Sequence, residues 1–143
     1  AIEENLIDPK KYVILGLRGG LYDPDDLKWA IEQGITIIST DKFYEIGMAE
    51  SIKIIKDTIG DTPTYFTFDI DGIDPTYAPG TGTPEVGGIN VHEAQLLIRD
   101  LKDLNFVGAD VVEVSPPFDV NNITSLVGAT IAFEILCTMT KIN

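Results

Sequence analysis

The chain has 143 residues, with 10 Lys+Arg against 23 Asp+Glu, a net charge of −13 and 44% apolar residues. That length suits one compact domain, and that apolar fraction excludes extended disorder. The acid excess excludes a surface that neutralises nucleic-acid phosphates or docks on anionic lipid; it suits a cationic substrate, and equally a plain solubility role.

The first residues, Ala1-Ile2-Glu3-Glu4-Asn5, lack the basic and apolar parts of a secretory leader, so a cytoplasmic location is expected. The absence of a starting Met leads to the expectation that the chain begins inside a longer one. Tyr12 to Leu17 is a short β-rich apolar run and reads as a buried strand ended by Arg18-Gly19-Gly20. Asp23-Pro24 is expected to open a helix running to Gln33, stopped by Gly34. A second strand follows at Thr36–Ser39, then a helix from about Ile46 to Ile59 closed by Gly60. Thr64 to Ile70 reads as a third strand running into a turn-rich loop, Asp71 to Asn90.

Val91 to Leu104 is amphipathic, with Ala94, Leu97, Ile98 and Leu101 on one stripe. Val111 to Val114 reads as the fourth strand, cut off by Ser115-Pro116-Pro117. Leu126 to Thr140 is nearly all apolar and is expected to be a helix buried on most sides. Cys137, the lone cysteine, permits no internal disulfide and reads as a small core residue. No uninterrupted stretch reaches the ~18 apolar residues of a membrane span. The alternation of strands and helices implies an α/β fold: a three-layer α/β/α arrangement with a parallel sheet of about four strands and four helices. One domain, or half of one, is expected, with strand order 2-1-3-4.

In open parallel sheets, sites form at the carboxyl ends of strands. The third strand ends in Asp69-Ile70-Asp71, and residues two apart on a strand share a face. Two adjacent carboxylates repel unless a cation is shared, and hard divalent ions such as Mn or Mg take such oxygens. One carboxylate capping a turn while the other is solvated is the simpler alternative. The Pro- and Gly-rich loop Ala78–Gly88 reads as a shaped wall, with Gly80, Thr81, Gly82, Thr83, Pro84 and Gly88 lining it. It lacks the Lys-Ser/Thr of a phosphate loop. Glu113, read as lying inside a strand, would be costly to bury without a cation, and a guanidinium suits it best. Arg18 is the internal candidate for that partner. His92, the only histidine, reads as a surface or capping residue, and no nucleophilic triad can be assembled.

Thr67-Phe68-Asp69-Ile70-Asp71-Gly72-Ile73-Asp74-Pro75, with Ala78-Pro79-Gly80-Thr81-Gly82-Thr83-Pro84-Glu85 and Gly87-Gly88, resembles a signature of the ureohydrolases, the arginase and agmatinase family. Glu113-Val114-Ser115-Pro116-Pro117-Phe118-Asp119 is similar to a segment of its agmatinase-like branch, as are Leu6-Ile7-Asp8-Pro9 and Gly16-Leu17-Arg18-Gly19. The resemblance implies half of an arginase-like fold, the C-terminal half. It implies a two-manganese enzyme in which a metal-activated water attacks a guanidinium carbon, releasing urea and an amine. By that match Asp69 bridges two Mn ions, Asp71 holds one of them, Glu113 anchors a small cationic guanidino substrate, and no residue of this chain is assigned a catalytic role.

Two motifs usual in that family, Gly-Gly-Asp-His and Asp-Ala-His-x-Asp, are absent, together with their histidine ligands. The chain alone is therefore expected to be inactive, to lack a complete metal site, and to carry a mobile Gly80–Gly88 loop. A missing N-terminal half, or a homo-oligomer of the intact form, is the expected partner. By the resemblance, a further strand belongs between the first and third strands. Two other classes stay open: a non-catalytic remnant or oligomerisation fragment of the same fold, and a flavodoxin- or receiver-like domain holding one Mg.

Overall fold

A computed structural model describes residues 1–140. Two compact units divide between Thr62 and Pro63. The first contains strand β1 (Val13–Leu17), helix α1 (Lys28–Gln33), strand β2 (Thr36–Ser39) and helix α2 (Thr40–Ile59). The second contains strand β3 (Thr64–Asp69), helix α3 (Val91–Asp100), strand β4 (Phe106–Val112) and helix α4 (Ile123–Thr140). The alternating α/β order expected from the sequence is present, with β1–β2 and β3–β4 both parallel.

In the first unit β1 and β2 pair in register from Val13↔Thr36, with an irregularity at Gly16, whose φ of 94° only glycine adopts readily. Gly16 O accepts the buried Thr40 hydroxyl at 2.9 Å, which ties the end of β1 to the start of α2. Helix α1 is shorter than the Asp23–Gln33 segment expected. The acidic side chains before it satisfy turn amides instead: Asp26 Oδ2 accepts Tyr22 N and Asp23 N at 2.8 and 3.0 Å, and Asp23 Oδ1 accepts Asp25 N. Helix α2 begins earlier than expected because Ser39 caps it by accepting Lys42 N at 3.1 Å, and it is broken at Gly47 (φ 80°, ψ 166°). Phe43, Ile52, Ile55 and Ile59 of α2 are buried, and α2 packs on both strands.

The expected sheet order 2-1-3-4 does not form. Among the described residues β1 pairs only with β2 and β3 only with β4, giving two two-stranded sheets. Each pair is joined by a crossover containing a helix and packs against a helix of its own unit, α2 on β1 and β2 and α4 on β4. The resemblance places a further strand between those two, and the observed pairing makes no substitute for it.

Strand β4 starts at Phe106, five residues before the expected Val111. Gly108 and Asp110 disguise it in sequence. The Tyr65 ring lies across Gly108, where an added Cβ would come within 2.9 Å of it, and the Tyr65 hydroxyl donates to Asp110 Oδ2 at 3.0 Å. An aromatic covering a cross-strand glycine offsets the poor strand propensity of that residue. Phe66 and Phe68 point to the opposite face from Tyr65, Thr67 and Asp69, and Phe68 is buried.

Helix α3 starts with a full capping box, Asn90 and Glu93 each bonding the other's backbone amide. Ala94, Leu97, Ile98 and Leu101 are all buried, as the stripe implied. Helix α4 packs on α3 and β4, but not on most sides as expected: Leu126, Phe133 and Leu136 are 68%, 64% and 60% exposed. It is also long and apolar enough to meet the length and composition test for a membrane span, because its Thr, Ser and Gly residues interrupt the apolar run without adding charge. Its one charged residue, Glu134, is buried and paired with Arg99, while Gln95 donates to the same carboxylate at 3.1 Å. That pairing lowers the Glu134 pKa and marks α4 as a core helix of this unit.

The packing makes a two-sided prediction for α4. Ile131→Ala, at a fully buried position, should cost about 2–5 kcal/mol in chemical denaturation. Phe133→Ala, on the open face, should cost about 0.5 kcal/mol or less. Equal costs would contradict the packing described.

Candidate active site

Strands β3 and β4 end side by side, with Asp69 opposite Val112 in register. The chain then turns on both strands. After Asp69 a single 3-10 turn, Ile70–Gly72, carries Asp71, so Asp71 is positioned by the turn and not by strand alternation as the sequence reading assumed. Asp69 Oδ1 accepts the Asp71 amide at 3.0 Å, capping that turn. Asp71 Oδ2 accepts the Thr83 hydroxyl at 2.7 Å, which draws the glycine-rich loop over the carboxylates.

After Val112 comes Glu113, with φ +64°, a left-handed conformation that costs a non-glycine residue about 1–3 kcal/mol. Glu113 lies one residue beyond β4 and is exposed, which corrects the expectation of a buried glutamate inside a strand. The left-handed kink takes it out of the strand's alternation. An added Cβ on Gly82 would lie 3.9 Å from Glu113 Oε2, so the Glu113 carboxylate rests beside the loop wall. Arg18, the internal alternative partner, lies in the first unit, where its guanidinium donates to Gly16 O at 3.3 Å.

The electrostatics follow from this crowding. Although Asp69 is exposed overall, partial enclosure of its carboxyl is the largest influence and pushes its pKa up. The Asp71 amide pulls it down, and the neighbouring Asp71 and Glu113 carboxylates push it up again. Three acids therefore share one electrostatic neighbourhood, supplied by two strand ends.

The loop is held at both ends. Asp74 Oδ2 accepts Gly87 N and Gly88 N at 2.7 and 3.1 Å, and Oδ1 accepts Thr76 N at 2.9 Å. The Thr76 hydrogen bonds foremost hold the Asp74 pKa at about 2. Gly88 leaves no room for a side chain, since an added Cβ would fall 2.8 Å from Asp74 Cα. At the other end Gly80 N donates to Thr124 Oγ1 at 2.8 Å, and Gly80 O accepts Ser115 N at 2.8 Å. Gly80 is also packed against Asp119, within 2.8 Å of an added Cβ. These bonds anchor the ends of a loop expected to be mobile, and leave Gly82, Thr83 and Pro84 exposed between them. Thr81 is buried, and its hydroxyl has no hydrogen-bond partner.

Asp119 closes the Glu113–Asp119 segment and has a structural role. Its Oδ1 accepts Thr124 N and its Oδ2 accepts Ser125 N, each at 2.8 Å, so it caps α4 from across the Asn121-Asn122 turn, both of whose residues have positive φ. The signal available was an Asp and two asparagines just ahead of an apolar run. His92 is exposed near the start of α3 and does not cap it, since Asn90 and Glu93 do.

The donor set can be tested against the metal centre that the resemblance implies. In kind, Asp69 and Asp71 suit a hard divalent cation. In number they do not complete a site: among the described residues no group of three or more His, Cys, Asp or Glu side chains converges to hold an ion.

The family model for the Arginase family matches residues 1–138. The chain belongs to the arginase family. It is 51% identical over 141 residues to the guanidinopropionase of Pseudomonas aeruginosa, covering 99% of this chain and 44% of that protein. It is 45% identical over 139 residues to the agmatinase of Chromobacterium violaceum, covering 97% and 41%. Among solved structures, proclavaminate amidino hydrolase from Streptomyces clavuligerus superposes with a TM-score of 0.91 at 39% identity, over 99% of this chain and 46% of that one. The fold is thus arginase-like, and the chain spans less than half the length of these relatives.

The capping role of Asp119 predicts an acid sensitivity. Burial pushes its pKa up, but the Ser125 and Thr124 hydrogen bonds outweigh that and hold it at about 2. The unfolded carboxyl titrates near ~3.9. A depressed folded pKa gives stability that is complete above the unfolded value and is lost as pH falls through the folded one. Urea denaturation between pH 4 and pH 2 should therefore show declining stability, with a shallower decline in Asp119→Asn. An identical slope in the variant would show that Asp119 does not carry this load.

Proposed function

We propose that this chain is part of a guanidino hydrolase that converts agmatine, or a related linear guanidino compound, into urea and an amine. The observation that carries the reading is the meeting of Asp69, Asp71 and Glu113 at the ends of β3 and β4, under the loop wall, in an arginase-family chain. In this reading Asp69 and Asp71 are ligands to manganese, and the remaining ligands come from sequence outside these 143 residues. Bound manganese would supply an activated water.

The chain's own part is recognition and enclosure. Glu113, turned out of β4 by its left-handed backbone, would in this reading accept paired hydrogen bonds from a guanidinium. Thr83 fixes Asp71, while the clasps at Asp74 and Gly80 fix the wall that limits how a substrate enters. The acidic neighbourhood favours a cationic group over an anionic one. A second reading, a non-catalytic remnant of the fold, is favoured by the incomplete ligand set among the described residues.

Urea release from agmatine, guanidinobutyrate and guanidinopropionate separates the two. The chain alone should be inactive. Supplemented with the portion of a relative that it does not match, it should release urea from one of these compounds. In that mixture Glu113→Gln should lower kcat/KM on the order of 30- to 4,000-fold, the equivalent of about 2–5 kcal/mol, without changing manganese content. Near-normal turnover by the variant would make Glu113 structural, and turnover by the chain alone would overturn the proposed incompleteness.

A further inference from the structure

Among the described residues the buried threonine and serine hydroxyls are all engaged except one. Thr40 donates to Gly16 O at 2.9 Å, Ser51 to Gly47 O at 2.9 Å and Thr138 to Ile98 O at 3.4 Å, while Thr124 Oγ1 accepts Gly80 N at 2.8 Å. Thr81 is 3% exposed, and its hydroxyl meets neither donor nor acceptor. An unpaired buried hydroxyl costs stability that a valine of the same shape would not. Such groups are rare in folded chains, and each calls for a reason. The position of Thr81 supplies one. On one side Gly80 is pinned, by its amide to Thr124 and by its carbonyl to Ser115 N, two residues past Glu113. On the other side an added Cβ on Gly82 would lie 3.9 Å from Glu113 Oε2. The Glu113 carboxylate is the complement of the spare hydroxyl, since among the described residues no hydrogen bond reaches it.

We propose that Thr81 is a positioning residue for Glu113: its hydroxyl donates to the Glu113 carboxylate when a guanidinium is bound, and so fixes the plane in which that carboxylate presents its oxygens. The proposal rests on the guanidino-hydrolase reading above and deepens it. An ionised carboxylate has about four acceptor directions, and a guanidinium bound side by side uses two of them. A direction is left for a hydroxyl. In the resting chain Glu113 is exposed, and water serves its oxygens. A guanidinium laid against it displaces that water, and a fixed donor then takes the place of a mobile one. The loop allows the small approach this requires, because Gly82, Thr83 and Pro84 are exposed between its anchored ends. Other acceptors nearby are taken. Asp71 Oδ2 already holds the Thr83 hydroxyl at 2.7 Å, Gly80 O holds Ser115 N, and Pro79 O holds the amide of Thr81 itself at 3.0 Å. Thr81 acts through Glu113 and does not touch the substrate.

The test has two arms. In the 143-residue chain Thr81→Val should raise Tm by roughly 3 °C or more, because it removes an unpaired hydroxyl and keeps the shape. A lowered or unchanged Tm would show that the hydroxyl is engaged in the resting chain, and would overturn the proposal. The second arm is a chimera in which this chain replaces the matched portion of the Pseudomonas aeruginosa guanidinopropionase, assayed by urea release from guanidinopropionate. There Thr81→Val should lower kcat/KM about tenfold or more, the scale of one hydrogen bond to a charged group, while Thr81→Ser stays within about threefold of wild type. In a Glu113→Ala background the same valine should cost less than about twofold, since its target carboxylate is gone. Equal losses in both backgrounds, or no loss in either, would overturn the positioning role. Should the chimera not fold, agmatine titrated into the 143-residue chain, followed by the amide resonances of Gly82 and Glu113, carries the same cycle. Thr81→Val should weaken that binding only while Glu113 is present, and weakening in both backgrounds or in neither overturns the proposal. A folded wild-type chimera that releases no urea overturns the enzymatic reading, and the positioning role with it. Urea release by the wild type with an indifferent Thr81→Val overturns the positioning role alone.

Discussion

The crowding of three carboxylates at the ends of two paired strands is the constraint around which the candidate site is built. Asp69, Asp71 and Glu113 come from the ends of two paired strands, and partial enclosure foremost, then the neighbouring carboxylates, raise the Asp69 pKa. Such a cluster is unfavourable by itself and becomes favourable when a cation joins it. The fold holds it together with backbone devices: a 3-10 turn capped by Asp69, a left-handed residue at Glu113, and a loop joined to Asp71 through Thr83. Strain of this kind persists only where surrounding structure enforces it, and it gathers at functional sites.

Two acids that are not in the cluster do the enforcing. Asp74 closes the loop on the amides of Gly87 and Gly88, and Asp119 caps α4, whose Thr124 in turn receives Gly80 N. Both have pKa values held at about 2, whereas Asp69 in the cluster is pushed the other way. The same residue type therefore serves two purposes in one unit. Where amides converge on a carboxylate it is a clasp, and where carboxylates crowd each other, as at Asp69, the pKa rises.

Much of this was legible in sequence because it rests on local chemistry. The apolar stripe of α3, the strands at Thr36–Ser39 and Thr64–Asp69, and the dense Asp-Gly-Pro motif each depend on neighbours within a few residues. What failed to show depends on partners far along the chain. Strand β4 was hidden because Gly108 and Asp110 are tolerated only through Tyr65, more than forty positions away. Glu113 was misplaced because nothing local announces a left-handed glutamate. The sheet order was misjudged for a different reason: edge satisfaction was assumed to be reachable within the chain, whereas the described strands pair only two by two. The apolar run of α4 announced a helix but overstated its burial, since Leu126, Phe133 and Leu136 remain exposed.

The central claim is that the β3–β4 ends form part of a divalent-cation site and not the whole of one. Titration of the isolated chain with Mn(II), followed by the paramagnetic resonance of the free ion, tests it most directly. The account predicts at most one weakly held ion per chain, with a dissociation constant above about 0.1 mM, the range of weakly liganded carboxylate sites. That binding should vanish in Asp69→Asn. Two ions held at micromolar concentration, or binding indifferent to Asp69→Asn, would contradict it.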